Sequence, residues 1–285
     1  MITILDGGMG QELIARSDAE PTPLWATKVM LDTPDLVRAV HDDFFAAGAT
    51  VATANTYSIH HDRLIPAGLD DQFEALHRSA CALASASRDA AGGGQVAGAL
   101  GPLNGSYQTD RLPEDAIDRF EEICRIQAPL VDLFLIETAA SIAQVRATLT
   151  GAFGHGKPVW LGVSVDDRDG TKLRSGEPLE EVVDWAEGVD ALLVNCSTPE
   201  AVSTAVDVIK GVDVPFGAYA NGFTRITDSF VQVGATVKSL AARTDMTPAA
   251  YASFAEDWAA KGATIIGGCC EVGPAHIAEL ARRLT

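Results

Sequence analysis

The sequence predicts an α/β fold, a single (β/α)8 barrel spanning residues 1–285 as one domain. Three observations carry that expectation. Eight short apolar runs alternate with longer stretches of helical periodicity. Each run is almost continuously hydrophobic, as suits a strand buried on both faces of a parallel sheet. No charge run, Ser/Gly linker or internal repeat divides the chain.

In chain order the strand candidates are residues 2–6, 50–56, 95–100, 133–137, 159–165, 191–196, 215–219 and 264–268. The helices between them carry start and stop signals. Thr33-Pro34-Asp35 supplies an N-cap, a proline at the first helical position and an acid in the first turn. Leu36, Val37, Val40, Phe44 and Phe45 follow at helical spacing, and Gly48 closes the element. Ser141 precedes a stretch through Ile142, Val145 and Leu149, and Thr198-Pro199 and Gly273-Pro274 announce two more helices. Thr247-Pro248 opens another, running through Tyr251, Phe254 and Trp258 to Gly262. Ala90-Ala91-Gly92-Gly93-Gly94 reads as a helix end and the loop before the third strand. Eight βα units in a chain of this length are the content of a TIM barrel. An open doubly wound sheet would carry a glycine-rich phosphate turn after its first strand, and Asp6-Gly7-Gly8-Met9-Gly10 lacks that spacing.

Charge narrows the partners. Against 21 Lys and Arg stand 39 Asp and Glu, a formal net charge of −18. Nucleic acid and anionic membrane, both polyanionic, are therefore not expected to bind. No stretch approaches the roughly 20 apolar residues of a membrane-spanning helix. The first residues have no basic region before an apolar core, so no signal peptide is expected and the setting reads as cytoplasmic. Five cysteines, an odd number, argue against a disulfide framework there. Cys81 and Cys124 lie in helical stretches and read as core residues.

The other three cysteines carry chemistry. Gly267-Gly268-Cys269-Cys270 ends the eighth strand, and Val194-Asn195-Cys196 ends the sixth. Adjacent cysteines rarely bond to each other, because the geometry strains the disulfide. In a barrel the C-terminal ends of both strands face the same mouth, where active sites are built. Taken singly each thiol reads as a buried side chain; converging there, three thiolates describe a Zn2+ site with one position open. Three sulfurs make the metal a poor acid toward water and a good host for a soft sulfur ligand. That set suits thiolate alkylation better than hydrolysis, which usually employs His and carboxylate ligands. Asp6 and Glu137, acids at the ends of strands one and four, could be a general acid and base or the partners of a cation. His60-His61, on a polar loop after strand two, read as solvated surface.

These motifs resemble the homocysteine S-methyltransferase family, which includes betaine–homocysteine and S-methylmethionine–homocysteine enzymes. The resemblance runs from Leu5-Asp6-Gly7-Gly8-Met9-Gly10 through Asn55-Thr56-Tyr57, Gly101-Pro102-Leu103, Glu137-Thr138 and Val194-Asn195-Cys196 to Gly267-Gly268-Cys269-Cys270 and Pro274-Ala275-His276-Ile277. It implies a zinc barrel that methylates homocysteine to methionine, with Cys196, Cys269 and Cys270 as the zinc ligands. By the same resemblance Asp6 and Glu137 hold the amino group of homocysteine, and the backbone amides of Gly7, Gly8 and Met9 hold its carboxylate. Trp25 and Tyr57 fall where the family places aromatic groups near the mouth, and with Asn195 they form the expected donor pocket; aromatic faces attract a sulfonium or quaternary ammonium. Asn195 and Asn221 are also expected to orient strand ends through hydrogen bonds. His276 is expected to cap or pack rather than to bind metal.

The sequence departs from the family pattern at two places, of which the second bears on the donor. Ala220 replaces the proline of a frequent Tyr-Pro-Asn, giving Tyr219-Ala220-Asn221. Thr138 follows Glu137 where betaine enzymes of the mammalian type carry an aromatic residue. With no long extension beyond Cys270 and no room for a cobalamin or folate module, a small onium donor is expected, S-methylmethionine or S-adenosylmethionine first. Glycine betaine as donor and a related thiol or selenol such as selenocysteine as acceptor are the alternatives. A zinc-thiolate protein without turnover is the alternative from another class. Nothing in the sequence specifies an oligomeric state.

Overall fold

All eight expected strands form: β1 (Thr3–Ile4), β2 (Val51–Thr53), β3 (Gln95–Leu100), β4 (Leu133–Ala139), β5 (Val159–Val163), β6 (Ala191–Asn195), β7 (Phe216–Tyr219) and β8 (Ile265–Ile266). The structure is a computed structural model that describes residues 1–17, 24, 26–227 and 240–285. Pairing is parallel throughout, in the order β1-β8-β7-β6-β5-β4-β3-β2. The last seam is closed by a parallel bridge between Leu5 and Val51 and by Thr50 N–H donating to Ile4 O at 2.7 Å. The barrel of the sequence reading is therefore the observed fold.

Around it lie α1 (Met9–Arg16), α2 (Ala26–Asp32), α3 (Pro34–Ala46), α4 (His61–Leu64), α5 (Phe73–Ala90), α6 (Ala116–Gln127), α7 (Ile142–Ala152), α8 (Glu180–Val183), α9 (Pro199–Ile209), α10 (Pro248–Ala260) and α11 (Pro274–Leu284). Thr247 and Ser141 cap α10 and α7 as expected, accepting from Ala250 N–H and Gln144 N–H. Thr33 precedes α3 without capping it, because its hydroxyl donates back to Val29 O at 3.1 Å.

Strand alternation sorts the core into two layers. Leu5, Val51, Ala97, Leu133, Leu135, Leu193 and Ile265 pack inside the barrel. Ile4, Val96, Phe134, Ile136, Leu192, Val194 and Ile266 face the helices. On β4 the next inward position after Leu133 and Leu135 is Glu137, which is how an acid comes to stand at the mouth. Tyr251 of α10 is wholly buried and donates to Gly267 O at 2.7 Å, tying that helix to the end of β8.

The reading of His60 and His61 as solvated surface fails as well. His60 is buried, its ring edge-on to Phe120. His61 lies between Asp70 Oδ1 at 2.6 Å and Glu122 Oε2 at 3.2 Å and stacks on Phe73. The loop after β2 folds back between α5 and α6, so polar neighbours in sequence became a packed face.

Candidate active site at the barrel mouth

Cys196 follows β6, and Cys269 and Cys270 follow β8. Their Sγ atoms lie within 4.8 Å of one another, with Cys196 Sγ 2.7 Å from Cys269 Sγ and 3.9 Å from Cys270 Sγ. All three are free thiols. Main-chain bonds fix the two segments: Cys196 N–H donates to Tyr219 O, Cys269 N–H to Ala220 O, and Gly222 N–H to Cys270 O. Cys196 is held in the left-handed region at φ 46°, a costly conformation for a residue with a side chain. Side-chain contacts with Cys269 and then Cys270 hold the Cys196 thiol well below the usual cysteine range, while their contacts with Cys196, and burial, push Cys269 and Cys270 up. Together the sulfurs form a donor set that can hold a metal ion. Cys81 and Cys124 lie in the core as expected, and burial pushes both thiols up, Cys81 to about 12.

The turn after β1 lies directly against the paired cysteines. A Cβ on Gly7 would meet Val272 O at 2.0 Å, and one on Gly8 would meet Cys269 O at 2.7 Å, so only glycine permits this approach. Gly8 N–H donates to Val272 O at 2.9 Å and Met9 N–H to Gly7 O at 3.0 Å. Two of the three amides expected to face a carboxylate are thus already engaged. Among the described residues the amides of Gly7, and of Gly10 and Gln11 at the start of α1, have no main-chain partner, and all three line the cavity.

That cavity takes in the three cysteines, Asp6 and Glu137. Asp6 accepts from Thr53 N–H at 2.7 Å and Thr53 Oγ1–H at 2.9 Å. Burial nevertheless pushes its carboxyl up to about 7. Burial, then the charges of Asp6 and Cys196, push Glu137 up to about 8, tempered by the Tyr219 hydroxyl. Among the described residues lining the cavity there is no Lys, Arg or His. The described lining is acidic and sulfur-rich, with no cationic side chain of its own.

The expected donor residues fare differently. Tyr57 lines the cavity; its hydroxyl pairs with Ser106 Oγ at 2.7 Å and Arg63 lies over its ring at 5.8 Å. Trp25 lies outside the described residues. Asn195 stands behind the cavity lining: it is fully buried, with both ends of its amide bonded to Thr138. Its expected strand-end role is what the structure shows. Asn221 likewise accepts from Phe223 N–H at 3.1 Å. His276 accepts from Gly273 N–H through Nδ1 and reaches Met246 O through Nε2, capping α11.

Residues 3–284 match the family model described as homocysteine S-methyltransferase. The chain belongs to the homocysteine S-methyltransferase family. It is 31% identical to the homocysteine S-methyltransferase of Escherichia coli (strain K12), covering 99% of this chain and 95% of that one. It is 25% identical to the selenocysteine methyltransferase of Astragalus bisulcatus, over 99% of this chain and 92% of the other. Among solved structures it resembles the metallated form of the homocysteine methyltransferase MmuM of Escherichia coli, with a TM-score of 0.81, 29% identity and coverage of 99% and 96%.

As a member of the homocysteine S-methyltransferase family the chain is a methyltransferase, yet sequence reasoning missed residues that shape its site. Thr53, at the end of β2, holds Asp6. Tyr107 donates its hydroxyl to Cys196 Sγ at 3.0 Å. Arg174 lies over the Tyr107 ring at 4.5 Å and pairs with Asp167. The one available signal was the Asn104-Gly105 turn after β3, a place where barrel loops carry function.

Proposed function

We propose that this protein, as a single homocysteine-binding unit, moves a methyl group from a small onium donor to homocysteine, giving methionine, at a Zn2+ site of Cys196, Cys269 and Cys270. The observation that carries this reading is the three-sulfur cluster opening into a cavity with two buried acids and no cationic side chain among its described lining. The donor set fits zinc, being soft, buried at Cys196 and open on the cavity side. When bound, zinc supplies acidification of the substrate thiol, which then needs no protein base.

The chain's own residues do the rest. Asp6 and Glu137 receive the ammonium of homocysteine; their raised carboxyls ionise as it enters, since a cation favours the charged form. The amides of Gly7, Gly10 and Gln11 receive its carboxylate. With its ammonium and carboxylate both held, the sulfur is presented for in-line attack on the donor methyl carbon, and the old sulfonium bond's electrons leave with a neutral thioether. Much of the acceleration comes from this positioning.

The same electrostatics favour a donor of net positive charge, S-methylmethionine or S-adenosylmethionine. Glycine betaine is net neutral, so the acidic lining attracts it less. A cytoplasmic setting suits a cluster of free thiols. No helix among the described residues is long and apolar enough to cross a membrane.

A donor panel with zinc-loaded protein tests the reading, with methionine as the readout. Turnover with a sulfonium and little with glycine betaine is expected. Turnover with betaine alone overturns the donor choice, and zinc binding without turnover for any donor places the protein among metal-thiolate binders. Selenocysteine as a second acceptor tests the selenol reading, which the Astragalus relative supports.

A further inference from the structure

We infer that Tyr107 is a positioning residue for one sulfur of the cluster, tempering the donor strength of Cys196 with Arg174 as its support. The inference rests on the metal assignment above and concerns what surrounds it. Tyr107 is buried, and its hydroxyl donates to Cys196 Sγ at 3.0 Å. The Arg174 guanidinium lies 4.5 Å from the centroid of that ring and donates through Nη2 to Cys196 O at 3.2 Å. One stacked pair thus grips Cys196 at its sulfur and at its carbonyl. Arg174 is fixed in turn by Ser164 Oγ at 2.7 Å and by the Asp167 carboxylate at 3.0 Å, with both side chains of that ion pair about one-tenth exposed. Asp167 also accepts from Thr198 N–H and Ile226 N–H. No hydroxyl or amide side chain among the described residues donates to Cys269 or Cys270 in this way.

The backbone supports the same assignment. Tyr107 sits at φ 64° and Cys196 at φ 46°, so both partners of the bond are held in the left-handed region. The loop that delivers Tyr107 is pinned by Asn104 N–H to Asp62 Oδ2 at 3.0 Å and by Ser106 Oγ to the Tyr57 hydroxyl. Bulky residues persist in such conformations where the surroundings over-determine them, commonly at functional sites.

Three thiolates around a divalent ion, joined by a fourth from substrate, concentrate negative charge where the described lining offers no cation. A hydroxyl donating to one sulfur lowers the energy of its lone pairs, and a guanidinium stacked behind the ring adds positive potential. Groups bonded to metal ligands tune the metal in this way, and their loss typically costs about 10- to 100-fold in affinity. Cys269 and Cys270 are left as the stronger donors, and Cys196 as the damped one.

Cobalt(II) bound to the full chain in place of zinc reports sulfur donation through its sulfur-to-metal charge-transfer band. Tyr107→Phe keeps the ring under Arg174 and removes only the hydroxyl. It should move the band to longer wavelength and weaken zinc about tenfold in competition with a chelator. Fluorotyrosine at position 107, a stronger donor of the same shape, should move the band the opposite way. An unmoved band and unchanged zinc affinity in the Tyr107→Phe and fluorotyrosine proteins, with cobalt bound normally by the parent, overturn the inference alone. Failure of the parent to take up cobalt or zinc removes the metal assignment and this inference with it.

Discussion

Asn195 holds Thr138 by both ends of its amide: Oδ1 accepts from Thr138 N–H at 3.0 Å, and Nδ2 donates to Thr138 Oγ1 at 3.1 Å. The two strands concerned, β6 and β4, are not neighbours, since β5 lies between them. The amide passes over Gly162 of β5, where a Cβ would stand 3.4 Å from Asn195 Oδ1 and 2.7 Å from the Tyr219 hydroxyl. Thr138 is kept at φ 60°, and Glu137 is thereby aimed into the cavity. Asn195→Leu would strand a buried N–H. It should lower unfolding free energy in urea by about 1–3 kcal/mol, and raise the KM for homocysteine because Glu137 is no longer held.

Metal content separates the two classes of cysteine. Cys196→Ser, Cys269→Ser and Cys270→Ser should each lose most of the roughly one zinc per chain expected of a three-thiolate site. Cys81→Ala and Cys124→Ala, which alter the apolar core instead, should keep it. Equal metal content in all five variants would sink the assignment.

Binding of homocysteine should release protons. Glu137 and Asp6, pushed up to about 8 and about 7 in the empty site, must ionise to meet the ammonium. Affinity should therefore rise between pH 6 and 8, and calorimetry in buffers of different ionisation enthalpy should count the released protons. In the empty protein the sign is reversed. A carboxyl raised on folding stabilises fully below its unfolded value and loses that contribution as pH rises through its folded value. Glu137→Gln should thus gain stability relative to the parent as pH rises from about 5 to 8. A constant difference across that range would show that Glu137 ionises as freely in the folded protein as in the unfolded chain.

Acid should act through His41. It is wholly buried in α3 and neither ring nitrogen has a partner among the described residues; burial holds it down at about 4. A histidine lowered on folding contributes stability above its unfolded value near 6.5 and loses it as pH falls toward its folded value. His41→Leu, of similar volume and without the charge, should flatten the decline in thermal midpoint between pH 6.5 and 4. An unaltered acid limb would assign that decline elsewhere.

The strands were legible because their apolar runs are short, continuous and separated by capped helices, and Thr247 and Ser141 mark their helices by a purely local bond. The cysteine cluster was legible because strand ends in a barrel share one mouth. What escaped depends on partners far away in the chain. Val272 O, not the glycine pattern, decides that Gly8 N–H is unavailable to a carboxylate. His60 and His61 look like surface until α5 and α6 close over them. Tyr107 meets Cys196 across 89 positions of sequence, and no local spacing announces such a contact.

Cys196 and Cys269 are separated by 73 positions. At ribosomal rates of about 5–20 residues per second, Cys196 waits roughly 4–15 seconds for its nearest sulfur to be made. The wait lengthens until β8 has emerged and docked between β7 and β1, because that docking brings the paired cysteines to the mouth. An ion held by all three sulfurs would therefore load only at the end of biogenesis, and a nascent chain stalled before β8 presents Cys196 without its two partner sulfurs.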